Sequence, residues 1–304
     1  MQLRHPVLAE TARAPVRLAF PIRAARLLAL AVVIGWSVTN AWYRITDWSM
    51  SDMDAYWNAA LRLREGALLY PPLADPSAAD VYRYAPWFAW AWVPLTYLPK
   101  VLVAIGWSCL LIAATAAALR PLMRPTAASV GAAALIGSML IWAISVGNVQ
   151  PLIVAMLVHG IERRSGPIWV GIAASLKAVP ILYALLYLGR REWSRLLATL
   201  AVAAVLAAPL LITPLANYPA GPGDSQGPLW ALHPLLLGAG LALLAAATIR
   251  LASQRSSYSR LLGAVTLLAA LPRITLLDLS HLVVGIPWPP PSKATPPPRP
   301  PAGS

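Results

Sequence analysis

Residues 27–66 read LLALAVVIGWSVTNAWYRITDWSMSDMDAYWNAALRLREG, and the change of character midway decides how the rest of the chain is read. The run from Leu27 to Trp42 is apolar and close to the ~20 residues a helix needs to cross a hydrocarbon core. Arg4, Arg13, Arg17, Arg23 and Arg26 precede it, and Trp42 and Tyr43 close it. No small-x-small cleavage site follows. The run therefore reads as an uncleaved first span with its N-terminus in the cytoplasm, not as a signal peptide. What comes next is acidic: Asp47, Asp52, Asp54 and Glu65, then Asp75 and Asp80, six of the chain's eleven acidic residues. Such a loop is where a water-soluble reaction partner meets the bilayer surface.

The remainder of the chain carries the same membrane signature. Apolar residues make up 59% and charged residues 12%, with a mean hydropathy of +0.64. Soluble domains hold about a quarter charged residues, so the composition indicates an integral membrane protein. The net charge of +13 then marks cytoplasmic loops and does not indicate nucleic acid, for which no recognition module is present. Cys109, the one cysteine, lies in an apolar run and reads as a small core residue. No cofactor is implied, and no cluster of His, Cys or paired acids reads as a metal site.

Further apolar runs at 100–119, 127–146, 194–213 and 229–249 also have span length. Regions 149–162, 165–189 and 261–287 are too broken for ordinary spans. They fold into hairpins if Arg120 with Arg124, Arg163 with Arg164, Arg190, Arg191 with Arg195, and Arg250, Arg255 with Arg260 all face the cytoplasm. The breaks then fall at Gly147-Asn148-Val149-Gln150-Pro151, at Lys177-Ala178-Val179-Pro180 and at Pro272-Arg273. The expected fold is all-α, with about ten transmembrane or half-spanning helices. A membrane domain over 27–287 is flanked by a basic cytoplasmic segment, 1–26, and a Pro-rich tail, 288–304, which reads as disordered.

The loop over 46–99 is expected on the noncytoplasmic face and to hold two interfacial helices. Tyr56, Ala59, Ala60 and Leu63 form one apolar stripe of the first. Ser51 with Asp54 fits a capping box, which by itself would account for both Asp52 and Asp54. Residues 86–98 are too short to stand upright across a bilayer and read as the second. Aromatic residues crowd this loop, Trp57, Tyr70, Tyr82, Tyr84 and Trp87 among them. They suit the headgroup belt, and their faces also suit sugar rings.

Two ordered blocks carry a family resemblance. The first is Asp52-x-x-x-Tyr56-Trp57-x-Ala59-Ala60, then Gly66, Leu69-Tyr70, Tyr84-x-Pro86, Pro94 and Leu98-Pro99. The second is Gly147-Asn148-Val149-Gln150, Arg163-Arg164 and Leu176-Lys177-x-x-Pro180. Together, over roughly residues 45–195, they resemble glycosyltransferase family 87, polytopic mannosyltransferase-like enzymes of the GT-C class. This chain has Tyr84-Ala85-Pro86 where the family commonly has Tyr-Pro-Pro. It has Gly-Asn-x-Gln in place of Gly-Gln-x-Asn, and Lys177-Ala178 in place of Lys-Pro.

The resemblance implies transfer of a sugar, mannose or a similar hexose or pentose, from a polyprenyl-phosphate donor to a glycan or glycolipid acceptor. The setting would be the inner membrane in cell-envelope assembly, with the active site toward the periplasm or exterior. By motif position Asp52 would be the general base of an inverting displacement that uses no metal. An intramembrane charge is a functional candidate by default, which marks Lys177 and Arg273 for the donor phosphate, with His281 assisting and Asp278 as a possible partner of Arg273. Arg62 and Arg83 are candidates for the donor headgroup. Tyr56, Trp57, Tyr84, Asn148 and Gln150 would line the acceptor or sugar site. Two other classes fit the same composition: a transporter or lipid flippase, and a noncatalytic membrane subunit of polysaccharide assembly.

Overall fold

The structure, a computed structural model, describes residues 16–47, 49–72, 75, 78, 80–123, 127–219, 233–272 and 274–286. Every regular element among them is helical. In chain order these are α1 (Val16–Thr46), α2 (Ser51–Arg64), α3 (Pro86–Trp92), α4 (Lys100–Leu119), α5 (Ala127–Val146) and α6 (Gln150–Gly160). After them come α7 (Gly166–Leu176), α8 (Ala184–Gly189), α9 (Trp193–Ala207), α10 (Pro234–Ser253) and α11 (Ser259–Ala270). Short 3-10 turns at Val93–Tyr97, Val179–Tyr183, Ala208–Leu211 and Asp278–Gly285 connect or extend them.

Among the described residues, five helices are long and apolar enough to cross a membrane: Arg23–Thr46, Lys100–Leu122, Ser129–Val146, Trp193–Leu211 and Pro234–Ser253. They coincide with the five runs of span length in the sequence, because about twenty uninterrupted apolar residues leave the backbone no option but internal hydrogen bonds. α9 and α10 turn Leu197, Leu200, Val205, Leu236 and Leu243 outward, as helices facing lipid do. α1 lies along α4 and α5, and the chain of contacts then runs α4 to α6, α6 to α7 and α7 to α9. α10 and α11 pair with each other, and α8 packs against α10.

Proline sets many helix starts. Pro86, Pro151, Pro167 and Pro234 each occupy the first or second helical position, where the missing N–H has no partner to lose. His233 caps α10, its Nδ1 accepting from Leu235 N at 3.3 Å. Where the ends of α6, α8 and α9 meet, the basic residues are tied down. Arg190 forks onto Glu162 at 2.8 and 2.9 Å, and Arg195 Nη2 donates to the carbonyls of Ile161 and Arg163, each at 2.6 Å. Glu162 is held below its usual pKa: burial pushes it up, and the Arg190 guanidinium more than offsets that.

Several expectations are corrected. The expected first span lies within α1, whose helix begins earlier, at Val16. Cys109 is exposed on α4, not in the core. The hairpin expected over 261–287 is present, with its break at Leu271, and Gly285 comes back against Leu261. What differs is the returning arm, the 3-10 turn Asp278–Gly285, which packs along α11 without being an α-helix. The capping box at the start of α2 does not form: the N-cap is Met50, with no side-chain cap bond. Asp54 instead pairs with Lys100 at 2.7 Å, joining α2 to the start of α4. The tail expected over 288–304 lies outside the described residues.

Candidate functional site

Of the expected stripe α2 buries Tyr56, Ala59 and Ala60, while Leu63 is only half-buried; Met53, Ala55 and Trp57 are buried as well. The burial is wider than a single stripe because α3, the turn Val93–Tyr97 and α5 flank the helix. Tyr56 sits at the centre of an aromatic cluster. Its ring meets Tyr84 and Phe88 edge-on, with centroids 5.1 and 4.9 Å away, and Trp92 and Trp107 close the group. Its hydroxyl donates to the Tyr84 hydroxyl at 3.0 Å. Offset and edge-on contacts of this kind contribute beyond simple burial, and they fix the helix that carries Asp52.

The turn between α5 and α6 is built against the same helix. Gly147 has φ +76°, and a Cβ there would lie 2.7 Å from Met53 Cβ. Only glycine meets both demands. Its carbonyl accepts from Trp107 Nε1 at 2.8 Å, so the aromatic cluster and the turn hold each other. One residue on, Asn148 Oδ1 accepts from Gln150 N at 2.8 Å. With the amide oxygen engaged, the Asn148 NH2 is the group that makes the polar contact with Asp52.

Asp52, in the first turn of α2 and half-buried, has its pKa raised. Burial is the largest influence and pushes it up; the Asn148 contact and the charges of Lys177 and Arg83 pull it down without cancelling the rise. Burial thus outweighs the Asn148 contact and the neighbouring cations. The same residue pushes the Tyr84 hydroxyl upward, second only to burial.

Lys177 enters from the break after α7. Its backbone is extended, φ −132° and ψ 126°, where the helix stops, ahead of the Val179–Tyr183 turn opened by Pro180. Its Nζ donates to Gln150 Oε1 at 2.8 Å and lies 3.3 Å from Asp278 Oδ1. Gln150 Nε2 donates in turn to Ser280 Oγ at 3.2 Å. Asp278 Oδ2 accepts from Thr275 N at 2.9 Å and Thr275 Oγ1 at 2.8 Å. His281, fully buried, has neither ring nitrogen hydrogen-bonded. Buried polar atoms nearly always have a partner, so this imidazole is the one group of the network left without one.

Of the residues singled out from sequence, the structure brings together Asp52, Tyr56, Tyr84, Asn148, Gln150, Lys177 and His281. Trp57 turns to another side of α2 and packs in the apolar core. Arg273 lies outside the described residues. Asp278, expected as a partner for Arg273, pairs with Lys177. Ser280 and Thr275 were not foreseen. The signal for them is a polar set, Thr275, Asp278, Ser280 and His281, in a stretch otherwise dominated by Leu and Val. The arrangement offers a half-buried carboxylate with a raised pKa, a lysine whose charge acts on it, and an unbonded imidazole near that lysine.

Residues 82–220 match the model of the family described as Glycosyltransferase family 87. The match includes Tyr84, Asn148, Gln150 and Lys177; Asp52 precedes it, and Asp278 and His281 follow it. No curated protein and no solved structure matches the chain.

Proposed function

We propose, from the premise that residues 82–220 place the chain in glycosyltransferase family 87, that it transfers a sugar from a polyprenyl-phosphate donor to a hydroxyl of a glycan or glycolipid. The family makes the chain a membrane glycosyltransferase. The donor class, the direction of attack and the residue roles are our reading. One observation supports them above the rest: Asp52 and Lys177, far apart in sequence, are brought to the same place by the Asn148–Gln150 turn.

In this reading Asp52 takes the proton of the acceptor hydroxyl. The acceptor oxygen bonds to the anomeric carbon as that carbon's bond to the phosphate oxygen breaks, and the electron pair leaves with polyprenyl phosphate. Attack in line with departure inverts the anomeric centre. The leaving group gains negative charge as it departs, and Lys177 meets that charge with an ammonium that a low-dielectric site makes effective. His281, with no other partner, adds a donor to the same phosphate, and Arg273 belongs to the same role. Asn148 orients Asp52, Gln150 orients Lys177, and Tyr84, backed by Tyr56, forms the acceptor side; Trp57, packed in the apolar core, takes no part in it. The site faces the noncytoplasmic side of the inner membrane.

A raised pKa suits a base of this kind, because a carboxylate closer to neutrality accepts a proton more readily. The test is a donor screen with the purified chain in lipid nanodiscs, using polyprenyl-phosphate mannose, glucose and a pentose with a lipid-extract acceptor. Consumption of one lipid-linked donor with formation of glycosylated product is the expected result. Use of a nucleotide sugar in place of every lipid-linked donor would overturn the donor class.

A further inference from the structure

A second concave site lies on another side of α2 from Asp52. Asn58 and Arg62, one helical turn apart, open onto a cleft of about 210 Å³ whose lining also includes Tyr70, Tyr82, Asp80 and Asn217. The tyrosine hydroxyls are already engaged, Tyr70 donating to Tyr84 O at 2.7 Å and Tyr82 to Ala85 O at 2.8 Å. Their rings are therefore held in place. Arg62 Nε donates to Leu69 O at 3.3 Å, which anchors the guanidinium at the cleft.

The segment after α9 closes this cleft from the other side. Asn217 Nδ2 donates to Tyr70 O at 3.5 Å, and Tyr218 donates its hydroxyl to Arg83 O at 3.0 Å. The Tyr218 ring meets Tyr70 edge-on at 5.0 Å. Residues distant in sequence thus come together to form a recess of mixed polar and apolar lining at the surface of the first loop.

The lining selects among ligands. Carboxylate, amide and guanidinium groups are planar, each presenting two polar atoms that fit neighbouring hydroxyls of a sugar. The wall is mixed: a prenyl or acyl chain would strand Asn58 and Asp80 without partners, while Leu69, Pro71 and Val81 supply apolar surface of the kind that the C–H face of a sugar ring can cover. The carboxylates of Asp75 and Asp80 beside one arginine repel a phosphate. The volume is below the roughly 300–1,000 Å³ of drug-sized pockets, which suits about one sugar ring. Tyr82 contacts Tyr84 with centroids 5.8 Å apart, and Tyr84 adjoins Asp52, so one aromatic layer separates the cleft from the candidate centre.

The geometry points to a subsite for one neutral sugar residue of the acceptor, other than the residue whose hydroxyl reacts. This rests on the glycosyltransferase reading, and its test keeps the two apart. Ligand-observed NMR on the purified full chain in nanodiscs, without donor, is run with methyl mannopyranoside, methyl glucopyranoside and methyl arabinofuranoside, and with inorganic phosphate as a charged comparator. At least one glycoside is expected to bind, with affinity reduced about tenfold or more in the Asn58→Ala/Asp80→Ala variant and unchanged in Asp52→Asn. An unaltered thermal unfolding midpoint shows that the double variant is folded. Absence of glycoside binding at millimolar concentration, equal binding by the variant, or binding of phosphate alone would overturn the subsite. Sugar transfer is scored separately: variant-sensitive glycoside binding without transfer by the wild type keeps the cleft and refutes the transferase. Transfer with an unchanged KM for a two-sugar acceptor in the double variant keeps the transferase and refutes the cleft.

Discussion

Lys177 Nζ stands 3.3 Å from Asp278 Oδ1, although 101 residues separate them. The side chains are largely withdrawn from solvent, 23% exposed for Lys177 and 5% for Asp278. A pair in that position is costly to break from one side, since the partner remains as an uncompensated charge. Asp278→Asn is expected to lower stability by up to about 3 kcal/mol, read as a fall in thermal unfolding midpoint in nanodiscs. Lys177→Met combined with Asp278→Leu should recover most of that loss and still fail to bind lipid-linked donor. Recovered donor binding in the double variant would return Lys177 to a purely structural role.

The hydroxyl pair Tyr56–Tyr84 makes a narrower prediction. Tyr56 is completely buried, so Tyr84→Phe leaves its hydroxyl without the 3.0 Å partner. The expected loss is about 1 kcal/mol, and Tyr56→Phe/Tyr84→Phe is expected to be less damaging than the sum of the single changes. A double-mutant cycle on denaturation midpoints checks this. Strict additivity would mean that the two hydroxyls do not support each other.

Gly147→Ala tests the turn that aims Asn148. The left-handed backbone costs a non-glycine residue of order 1–3 kcal/mol, and the new Cβ presses on Met53. Because Met53 and Asp52 are neighbours on α2, sugar transfer should fall further than stability alone explains. Residual transfer in proportion to the folded fraction would remove the turn from the site.

These relationships differ in how far they were legible in the sequence. The five long helices were, since twenty consecutive apolar residues determine a span whatever surrounds them. The α2 stripe of Tyr56, Ala59 and Ala60 was also legible, because helical period is a local property. The capping box at Ser51 and Asp54 was read from an equally local pattern and did not form: the helix starts one residue earlier, with Met50 at the cap, and the Asp54 carboxylate pairs with Lys100 at the start of α4. The motif order brought out Asp52, Asn148, Gln150 and Lys177, but no periodicity specifies that Asp278 meets Lys177 or that Ser280 meets Gln150. Those contacts depend on how the break after α7 and the segment after α11 pack, which is a long-range outcome. The cleft lined by Asn58, Arg62 and Asn217 was invisible for the same reason.

The raised pKa of Asp52 predicts a pH profile. Burial, the largest influence, raises it, and Asn148, Lys177 and Arg83 only partly reverse that. A base works as its carboxylate, so kcat/KM should rise with pH along a limb lying above the ordinary carboxylate value of about 4. Lys177→Met removes one of the charges that lower the pKa, and the limb should move to still higher pH. A limb unmoved by Lys177→Met, or one centred at the ordinary carboxylate value, would separate Asp52 from the rate.

The central claim is that Asp52 is the base, and Asp52→Asn tests it most directly. Asparagine keeps the size and polar contact of the side chain and removes its ability to take a proton. Wild type and variant are compared, in nanodiscs, for initial rate of sugar transfer from the lipid-linked donor and for equilibrium donor binding. The expected result is a rate reduced by a factor on the order of 10²–10⁴ with donor binding and unfolding midpoint unchanged. Transfer by Asp52→Asn at close to the wild-type rate would contradict the account.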